Sequence, residues 1–292
     1  MLQQARFDFF SHPLRLVLFG LVAFGLFGHF VYSQRRHPTP LLNMRLLGNA
    51  MFASGLWFYF MYYLLTTAFS YLFLQFAEHG LGIDLTEVGW LMTFSSLIGV
   101  AFSLYFLGIM KKVRRRSTLV LAGFVVFGLA CLWATWLPAE VESVDLLPML
   151  LLRSTLTVLI ALPLAGMTYT FLQGHEFSHG YRTRYIVRSL SMSFGTTLGT
   201  VLLQNRQAQQ GVNLAASVNP ANHAVTEWLA TLQRHFEMAG YTAAESHGAA
   251  LAVLQRTVSQ QALLLASQDL FYLLAALGMV AFLIVLIQRR LS

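Results

Sequence analysis

Long apolar stretches constrain the fold of this chain more than any other feature of its sequence. Seven of them recur along the 292 residues, and most are separated by short polar links. A helix needs about 20 apolar residues to cross roughly 30 Å of hydrocarbon. The stretches lack the alternation of lipid-facing strands, so we predict helices rather than a β-barrel. The predicted spans are Leu14–Tyr32, Met51–Phe76, Val88–Met110, Thr118–Leu137, Leu146–Leu172, Tyr185–Leu203 and Leu270–Ile287.

The links between these stretches alternate in charge. Basic links include Lys111–Arg116 and Arg182–Arg184, whereas Glu140, Glu142 and Asp145 mark one of the acidic links. Lysine and arginine in short loops accumulate on the cytoplasmic side of a membrane. We therefore predict a multi-pass protein of the inner (plasma) membrane with a cytoplasmic C-terminus.

Composition supports the same class and argues against others. Hydrophobic residues make up 57% and charged residues 11% of the chain, whereas soluble domains carry about 25% charged residues. The net charge of +7 is explained by the basic links, so we expect no nucleic-acid partner. The single cysteine, Cys131, lies inside an apolar stretch and cannot form a disulfide framework or a cysteine metal cluster. We expect neither a metal ion nor another cofactor.

The longest link, Gln204–Gln261, differs from the others because it is rich in Gln, Asn and Ala. Within it, Val225–Ala239 places apolar residues at helical spacing. A second helical segment, Ala249–Leu265, continues toward the last span. We therefore predict an extracytoplasmic helical hairpin within residues 204–264.

One pattern points to an enzyme. His175-Glu176-x-x-His179 matches H-E-x-x-H, which on a helix places two imidazoles on one face for zinc and uses the glutamate as general base. Gly174 and Gly180 flank the pattern and are expected to weaken a long helix through it. The richest supply of a third ligand lies across the predicted membrane. We expect a polar cytoplasmic link here, and a membrane-embedded zinc metalloprotease stays an alternative.

Small residues and proline shape two of the predicted spans. Gly195 and Gly199 form a G-x-x-x-G pattern, whose small residues let two helix backbones approach closely. We predict that they pack inside the bundle. In the fifth span, Pro163 near Gly166 predicts a kink.

Two charged residues lie nearest the interiors of predicted spans. A charge at the centre of a spanning helix costs about 2.5–3.5 kcal/mol on insertion scales, so such residues usually face a cavity or a partner. Asp269 is close to the start of the last span and can rest at the membrane interface. Arg153 is roughly two turns into its span and can extend its side chain toward the interface.

The second span is densely aromatic. This density suits a cavity for a bulky apolar or cationic solute. It suits contacts with lipid and neighbouring helices equally well. The aromatic residues are Trp57, Phe58, Tyr59, Phe60, Tyr62, Tyr63, Phe69, Tyr71 and Phe73.

Several short patterns follow one another in a fixed order along the chain. They are Pro40–Leu47 with Phe52-Ala53, Leu74-Gln75 with Gly82 and Gly89–Leu91, Gly108 with Arg114–Arg116, Gly180 with Arg188, Ser193 and Gly195, and Gln261-Ala262 with Asp269 and Phe271. Their order and spacing resemble the C-terminal half of a 14-spanner drug:proton antiporter of the major facilitator superfamily. The resemblance covers nearly the whole chain. It departs from the family at Lys112, which replaces an acidic residue, and where Tyr71, Phe94 and Tyr105 replace prolines.

The resemblance implies an all-α fold with a lead-in helix and cytoplasmic link in residues 1–45 and a six-helix half-bundle in residues 46–292. It also implies proton-coupled export of small hydrophobic or cationic solutes. Such transporters move solute between two halves around a site near the midplane. The family's first half is missing, so we expect a half-length or truncated form that needs a partner half.

On this resemblance, we expect Tyr59, Tyr62, Tyr63 and Phe94 to line a solute cavity and Arg188 to make polar contacts between helices. Besides lipid, solute and protons, the expected partners are a second half-transporter or a periplasmic adaptor. A non-transporting membrane protein that binds partners through the long polar link is a further alternative.

Overall fold

The computed structural model describes residues 13–36, 44–110, 116–138, 141–169, 172, 174–218 and 223–288. Within these ranges the chain forms nine α-helices and no strand. The basic links at 111–115 and 289–290 lie outside the described residues. The helices are α1 (Pro13–Arg36), α2 (Ala50–Gln75), α3 (Leu85–Met110), α4 (Arg116–Trp136), α5 (Leu147–Leu156), α6 (Leu162–Tyr169), α7 (Gly174–Ser217), α8 (His223–Met238) and α9 (Ala243–Ile287).

The helices have the length and composition of membrane spans. Six stretches of the described chain are long and apolar enough to cross a membrane. The predicted fold class is therefore confirmed: this is an all-α, polytopic membrane protein. The helix α1 includes the first predicted span and has 24 residues, but it is not among these six stretches, so the seventh span stays a prediction. The six stretches are Ala50–Gly80, Leu85–Gly108, Ser117–Trp136, Ser143–Gly166, Glu176–Ala216 and Ala243–Ile287.

Two helices are much longer than the spans predicted for them. The helix α7 has 44 residues and α9 has 45, which corresponds to about 66 and 68 Å. Hydropathy falls where a helix leaves the hydrocarbon, but Gln, Arg and Ala after Leu203 continue to favour helix. The predicted helices in the long link are confirmed, since α8 covers His223–Met238 and α9 includes Ala249–Leu265. The extracytoplasmic location of the link stays a prediction.

The fifth span is interrupted where the sequence predicts a kink. A π-helical turn, Thr157–Ala161, separates α5 from α6 and directly precedes Pro163. Proline has no N–H to donate to the carbonyl of Leu159, and its ring clashes with a regular preceding turn. The wider turn accommodates this defect. A second π-helical turn, Phe76–Gly80, continues α2; the sequence analysis did not predict it.

The spans pack around α2. This helix contacts α6, α7 and α9, while α4 packs against α5, α6 and α9. The helix α3 packs mainly on α5, and α7 packs mainly on α2 and α9, so α3 and α7 form two edges of the bundle. The core is aromatic: the ring of Phe271 lies 5.5 Å from that of Phe69 and 5.8 Å from that of Phe76.

Three glycines let α7 approach its neighbours. A Cβ atom at Gly195 would come within 2.6 Å of the Leu64 carbonyl oxygen, and one at Gly199 would lie 3.2 Å from the Tyr71 ring. The G-x-x-x-G pattern therefore lies where α7 meets α2. The expectation of a helix weakened at Gly180 is wrong, because α7 runs through this residue. A Cβ atom there would collide with the side chain of Leu172, so the glycine permits close packing.

Candidate functional site

A polar cavity of about 460 Å³ lies among α2, α3, α5, the adjoining π-helical turn and α7. Its volume falls within the range of small-molecule sites, about 300–1,000 Å³. The helices α2 and α5 form its floor, and the edge helices α3 and α7 form its sides. The candidate site therefore lies between spans that hydropathy alone marks as apolar.

One stripe of α2 supplies most of the polar lining. Tyr63, Thr66, Thr67 and Ser70 all line the cavity, and their i, i+3, i+4, i+7 spacing places them on one face of the helix. The hydroxyls of Thr66 and Ser70 each donate to a backbone carbonyl one turn earlier, at 2.7 Å. This bond satisfies the donor inside the helix and leaves the hydroxyl oxygen able to accept a hydrogen bond.

The helix α3 also has hydroxyl residues at helical spacing, and α5 and the π-helical turn add two more. On α3, the lining residues Ser96, Val100 and Ser103 lie on one face, and Ser96 and Ser103 also donate to their own backbone. On α5 and the π-helical turn, Ser154 and Thr157 complete the hydroxyl lining. The cavity is thus lined by hydroxyl oxygens that can accept hydrogen bonds.

Arg153 enters this cavity from α5. Its Nη2 atom donates to the hydroxyl of Ser70 on α2, and its guanidinium carbon lies 6.0 Å from the centre of the Phe69 ring. Its Nε atom is buried and has no hydrogen-bond partner in the described structure. The sequence left open an extension toward the membrane interface. In the structure the side chain instead contacts α2 and keeps an unused donor.

Arg188 enters from the opposite side, on α7. Its guanidinium carbon lies 5.1 Å from the centre of the Tyr63 ring, a cation–π distance. One turn earlier, Arg184 stacks on Tyr59 at 4.3 Å and donates from Nη2 to the hydroxyl of Tyr63 at 3.4 Å. The two arginines therefore hold the Tyr63 side chain between α2 and α7.

The charge of the cavity is positive. Arg153 and Arg188 line it, and no aspartate, glutamate or histidine is among its described lining residues. Neither arginine forms an ion pair with a described carboxylate. Since arginine stays protonated in proteins, the cavity has two fixed positive charges that are not neutralised by described side chains.

The structure separates the four aromatic residues expected to line a cavity. Tyr62 and Tyr63 line it, and the Tyr62 hydroxyl lies 3.0 Å from that of Thr157. Tyr59 is buried outside the lining, where its hydroxyl donates to the Ala161 carbonyl at 3.1 Å. Phe94 is 54% exposed on α3 and does not line the cavity.

Asp269 lies away from this cavity. Its carboxylate accepts a hydrogen bond of 3.0 Å from the side-chain amide of Gln210, which joins α9 to α7. The contact is close to the point where the apolar part of α9 begins. Asp269 thus connects the two long helices and is not among the described residues that line the cavity.

Sequence analysis missed the hydroxyl residues that dominate the lining. A signal was present, because serines and threonines recur at helical spacing in three apolar spans. The aromatic residues of the second span obscured it, since they are larger and more numerous. The hydroxyl lining comprises Thr66, Thr67, Ser70, Ser96, Ser103, Ser154 and Thr157.

A larger cavity, about 670 Å³, lies near the C-terminal end of α2, between α7 and α9. Its lining includes both Glu78 and Arg256, together with several glutamines. Glu78 belongs to the π-helical turn that continues α2, and Arg256 lies on the polar part of α9. Neither residue lies in a predicted span, whereas the smaller cavity is lined by residues of four predicted spans and is therefore the stronger candidate site.

The H-E-x-x-H pattern lies on the first turns of α7. The helix provides the spacing that a pair of zinc ligands needs, although the His175 side chain lies outside the described residues. Among the side chains that the structure describes, no three from His, Cys, Asp and Glu come together in a group that could hold a metal ion. The metalloprotease alternative therefore has no described ligand set.

Comparison with known proteins does not assign the chain to a family. No protein-family model matches the chain, and no curated protein matches it. The resemblance to major-facilitator antiporters stays a prediction from short sequence patterns. A proposal for function therefore depends on the cavity and on those patterns.

Proposed function

We propose that this protein is a transporter subunit of the major-facilitator type in the inner membrane, with a cytoplasmic C-terminus. The cavity between α2, α3, α5 and α7 carries the proposal. Charged and polar groups between membrane spans are costly and usually mark a path for a solute or an ion. Here two arginines and a set of hydroxyls line one cavity of solute size.

The cavity also supports the proposal that the chain acts as one half of an assembly. Several of its lining residues are exposed, including Val100 on α3 and Arg188 and Met192 on α7. Hydrocarbon over this face would offer no hydrogen-bond partner to the exposed guanidinium of Arg188. A second half-bundle over this face would enclose the groove and give the two-sided site that alternating access requires.

The proposal also concerns the group that couples proton movement to transport. The described lining offers arginine and tyrosine but no carboxylate or histidine. A group that exchanges protons near neutral pH is usually a carboxylate or a histidine. We therefore assign the coupling group to the partner half. The export of hydrophobic or cationic solutes that the resemblance implies stays a prediction.

An efflux experiment tests the half-transporter proposal. Cells express this chain alone, and the export of one cationic dye, ethidium, and one anionic dye, carboxyfluorescein, is compared with export by an intact 14-spanner. We expect no export by the chain alone. Export at the rate of the intact transporter would refute the requirement for a partner half.

Cross-linking tests where the partner docks. Val100→Cys at the rim of the cavity is compared with Leu129→Cys, which is exposed on α4 away from it. The buried native Cys131 is replaced by alanine in both variants. A photoreactive benzophenone maleimide is attached to the new thiol of each variant. We expect illumination of native membranes to link Val100→Cys, but not Leu129→Cys, to a second polypeptide. Equal linking of both variants would contradict docking at the cavity.

The long helices favour a second candidate function, a membrane partner protein that binds periplasmic proteins. Both α7 and α9 continue well past spanning length, and α8 packs against α9. Deletion of α8 (His223–Met238) distinguishes the two functions. A binding role predicts the loss of co-purifying proteins, whereas a transporter role predicts that the solute cavity keeps its ligand.

A further inference from the structure

We propose that the cavity between α2, α3, α5 and α7 binds a small hydroxylated organic anion, a molecule with hydroxyl groups and a carboxylate or phosphate. This inference rests on the proposed function and names the solute class of the same site. Three observations support this inference: the positive charge of the lining, the placement of the two arginines, and the hydroxyl oxygens that can accept hydrogen bonds.

Charge is the first argument. The described lining includes Arg153 and Arg188 and no carboxylate. In the low dielectric of a bundle between membrane spans, two permanent positive charges repel a cationic solute and attract an anionic one more strongly than in water. The aromatic surface that would attract a cation is already occupied, because Arg188 itself lies against the Tyr63 ring.

The placement of the arginines is the second argument. Arg153 bonds to Ser70, and Arg188 lies against Tyr63. These two α2 residues are seven positions apart, which corresponds to about 10 Å along the helix. The guanidinium groups therefore lie toward opposite ends of one polar stripe. Both arginines line the cavity, and guanidinium donors match the paired oxygens of carboxylate and phosphate.

The hydroxyls supply the third argument. Thr66 and Ser70 on α2 and Ser96 and Ser103 on α3 donate their protons to carbonyls of their own helices. Their oxygens can still accept a hydrogen bond along α2 and α3, although the Ser70 oxygen already accepts one from Arg153. Acceptors of this kind bind the hydroxyl groups of a solute, while the arginines bind its anionic group. The lining thus matches a polyol with an acidic end better than an apolar drug.

The test uses three probes that share one six-carbon polyol chain. Gluconate carries a carboxylate, sorbitol is neutral, and glucamine carries an ammonium group. Their affinities for the purified full chain in nanodiscs of zwitterionic phosphatidylcholine are measured by calorimetry and thermal stabilisation. We expect gluconate to bind at least ten-fold more tightly than sorbitol and glucamine to bind most weakly.

Variants connect this selectivity to the cavity. Arg153→Gln and Arg188→Gln should each weaken gluconate binding about ten-fold or more and leave sorbitol binding unchanged. Arg206→Gln is the matched control: this arginine is on the same helix as Arg188 but outside the cavity, and its side chain bonds to Gln209. Because Arg188 is exposed, its variant gives an answer even if Arg153→Gln does not fold.

A lipid headgroup can present the same chemistry, since phosphatidylglycerol combines a phosphate with glycerol hydroxyls. Nanodiscs that contain this lipid distinguish the two sources. If they abolish gluconate binding in the native chain, the anion site belongs to the lipid; if they do not, it belongs to a soluble solute. Both results support an anion site.

Two results would overturn the proposal. Sorbitol or glucamine binding as tightly as gluconate would exclude anion selectivity and leave the transporter proposal intact. Gluconate binding that is absent, or unchanged in both arginine variants, would remove the anion from this cavity. The efflux and cross-linking experiments test the transporter proposal separately.

Discussion

Two faces of α2 perform different tasks within one helix. On one face, Phe69, Phe73 and Phe76 are fully buried and pack toward α4 and α9. On the other face, Tyr63 and Thr66 continue the polar stripe of the cavity. The polar stripe covers residues 63–70, and the buried rings cover residues 69–76, of which Phe76 begins the π-helical turn. This arrangement lets a single helix anchor the bundle and present a site without a change in its backbone.

The comparison shows how an apolar span can hold polar groups at low cost. Thr66 and Ser70 each donate a hydrogen bond to the backbone of the preceding turn, so the helix satisfies these hydroxyl groups internally. The aromatic face provides the packing that the small hydroxyl residues cannot. We expect substitutions on the aromatic face to affect stability and those on the polar face to affect binding.

The largest effect is expected from Phe69→Ala. Its ring is fully buried between the rings of Phe127 and Phe271, and removal of a buried Phe side chain costs about 3–5 kcal/mol. Reversible unfolding in mixed micelles measures the free energy of unfolding. Phe94→Ala is the control, since Phe94 is mostly exposed on α3. Equal losses in the two variants would contradict a packing role for the aromatic face.

A smaller loss is expected from Gly195→Ala. The new methyl group would meet the Leu64 carbonyl oxygen at 2.6 Å and force α7 away from α2. Overpacking of this kind costs about 1–3 kcal/mol. Gly211→Ala on the same helix meets nothing within 4 Å and should raise helix stability by up to about 1 kcal/mol. The same unfolding assay applies, and effects of the same sign would refute close approach at Gly195.

Loss of one hydrogen bond should have a still smaller effect. Tyr62→Phe removes the contact of 3.0 Å with Thr157, and such a bond contributes about 1 kcal/mol. Thr157→Val in the same chain should then add little, because the two hydroxyls are each other's partner. Tyr105→Phe on the exposed side of α3 serves as control. Additive losses in the double variant would show that the two side chains act independently.

The smallest effect on stability is expected from Thr67→Ala. Thr67 lines the cavity and lies two residues before Phe69 on the same helix. Because its side chain is only partly buried and lines the cavity, the change in unfolding free energy should stay within about 0.5 kcal/mol. A loss as large as that of Phe69→Ala would remove the distinction between the two faces.

The sequence predicted the spans well because hydropathy reports directly on the lipid-facing environment. It failed where a helix continues beyond the hydrocarbon, as α7 does after Leu203, since helix propensity and hydropathy are separate properties. It also misjudged Gly180, because the neighbour that the glycine accommodates, Leu172, is not visible in a one-dimensional pattern. Close packing can favour glycine inside a helix despite its low propensity.

The candidate site was only half predictable. Of the four aromatic residues expected to line a solute cavity, Tyr62 and Tyr63 line this cavity and Tyr59 and Phe94 do not. Solute binding by any of them stays a prediction. Adjacent residues on a helix point about 100° apart. Aromatic residues that are clustered in the sequence therefore lie on several different faces of the helix. The partner of Arg153, the hydroxyl of Ser70, belongs to another helix far away in sequence. Tertiary packing alone determines that pairing.

The unbroken length of α7 has a mechanical consequence. The helix carries Arg188 near one end and runs to Ser217, about 44 Å further along its axis. If the helix is treated as a stiff rod that pivots at Gly174, a tilt of about 5° moves its far end by about 6 Å and Arg188 by about 2 Å, from a rise of about 1.5 Å per residue. A displacement of the Ser217 end is thus transmitted along the helix, at reduced amplitude, to the Arg188 guanidinium beside the cavity.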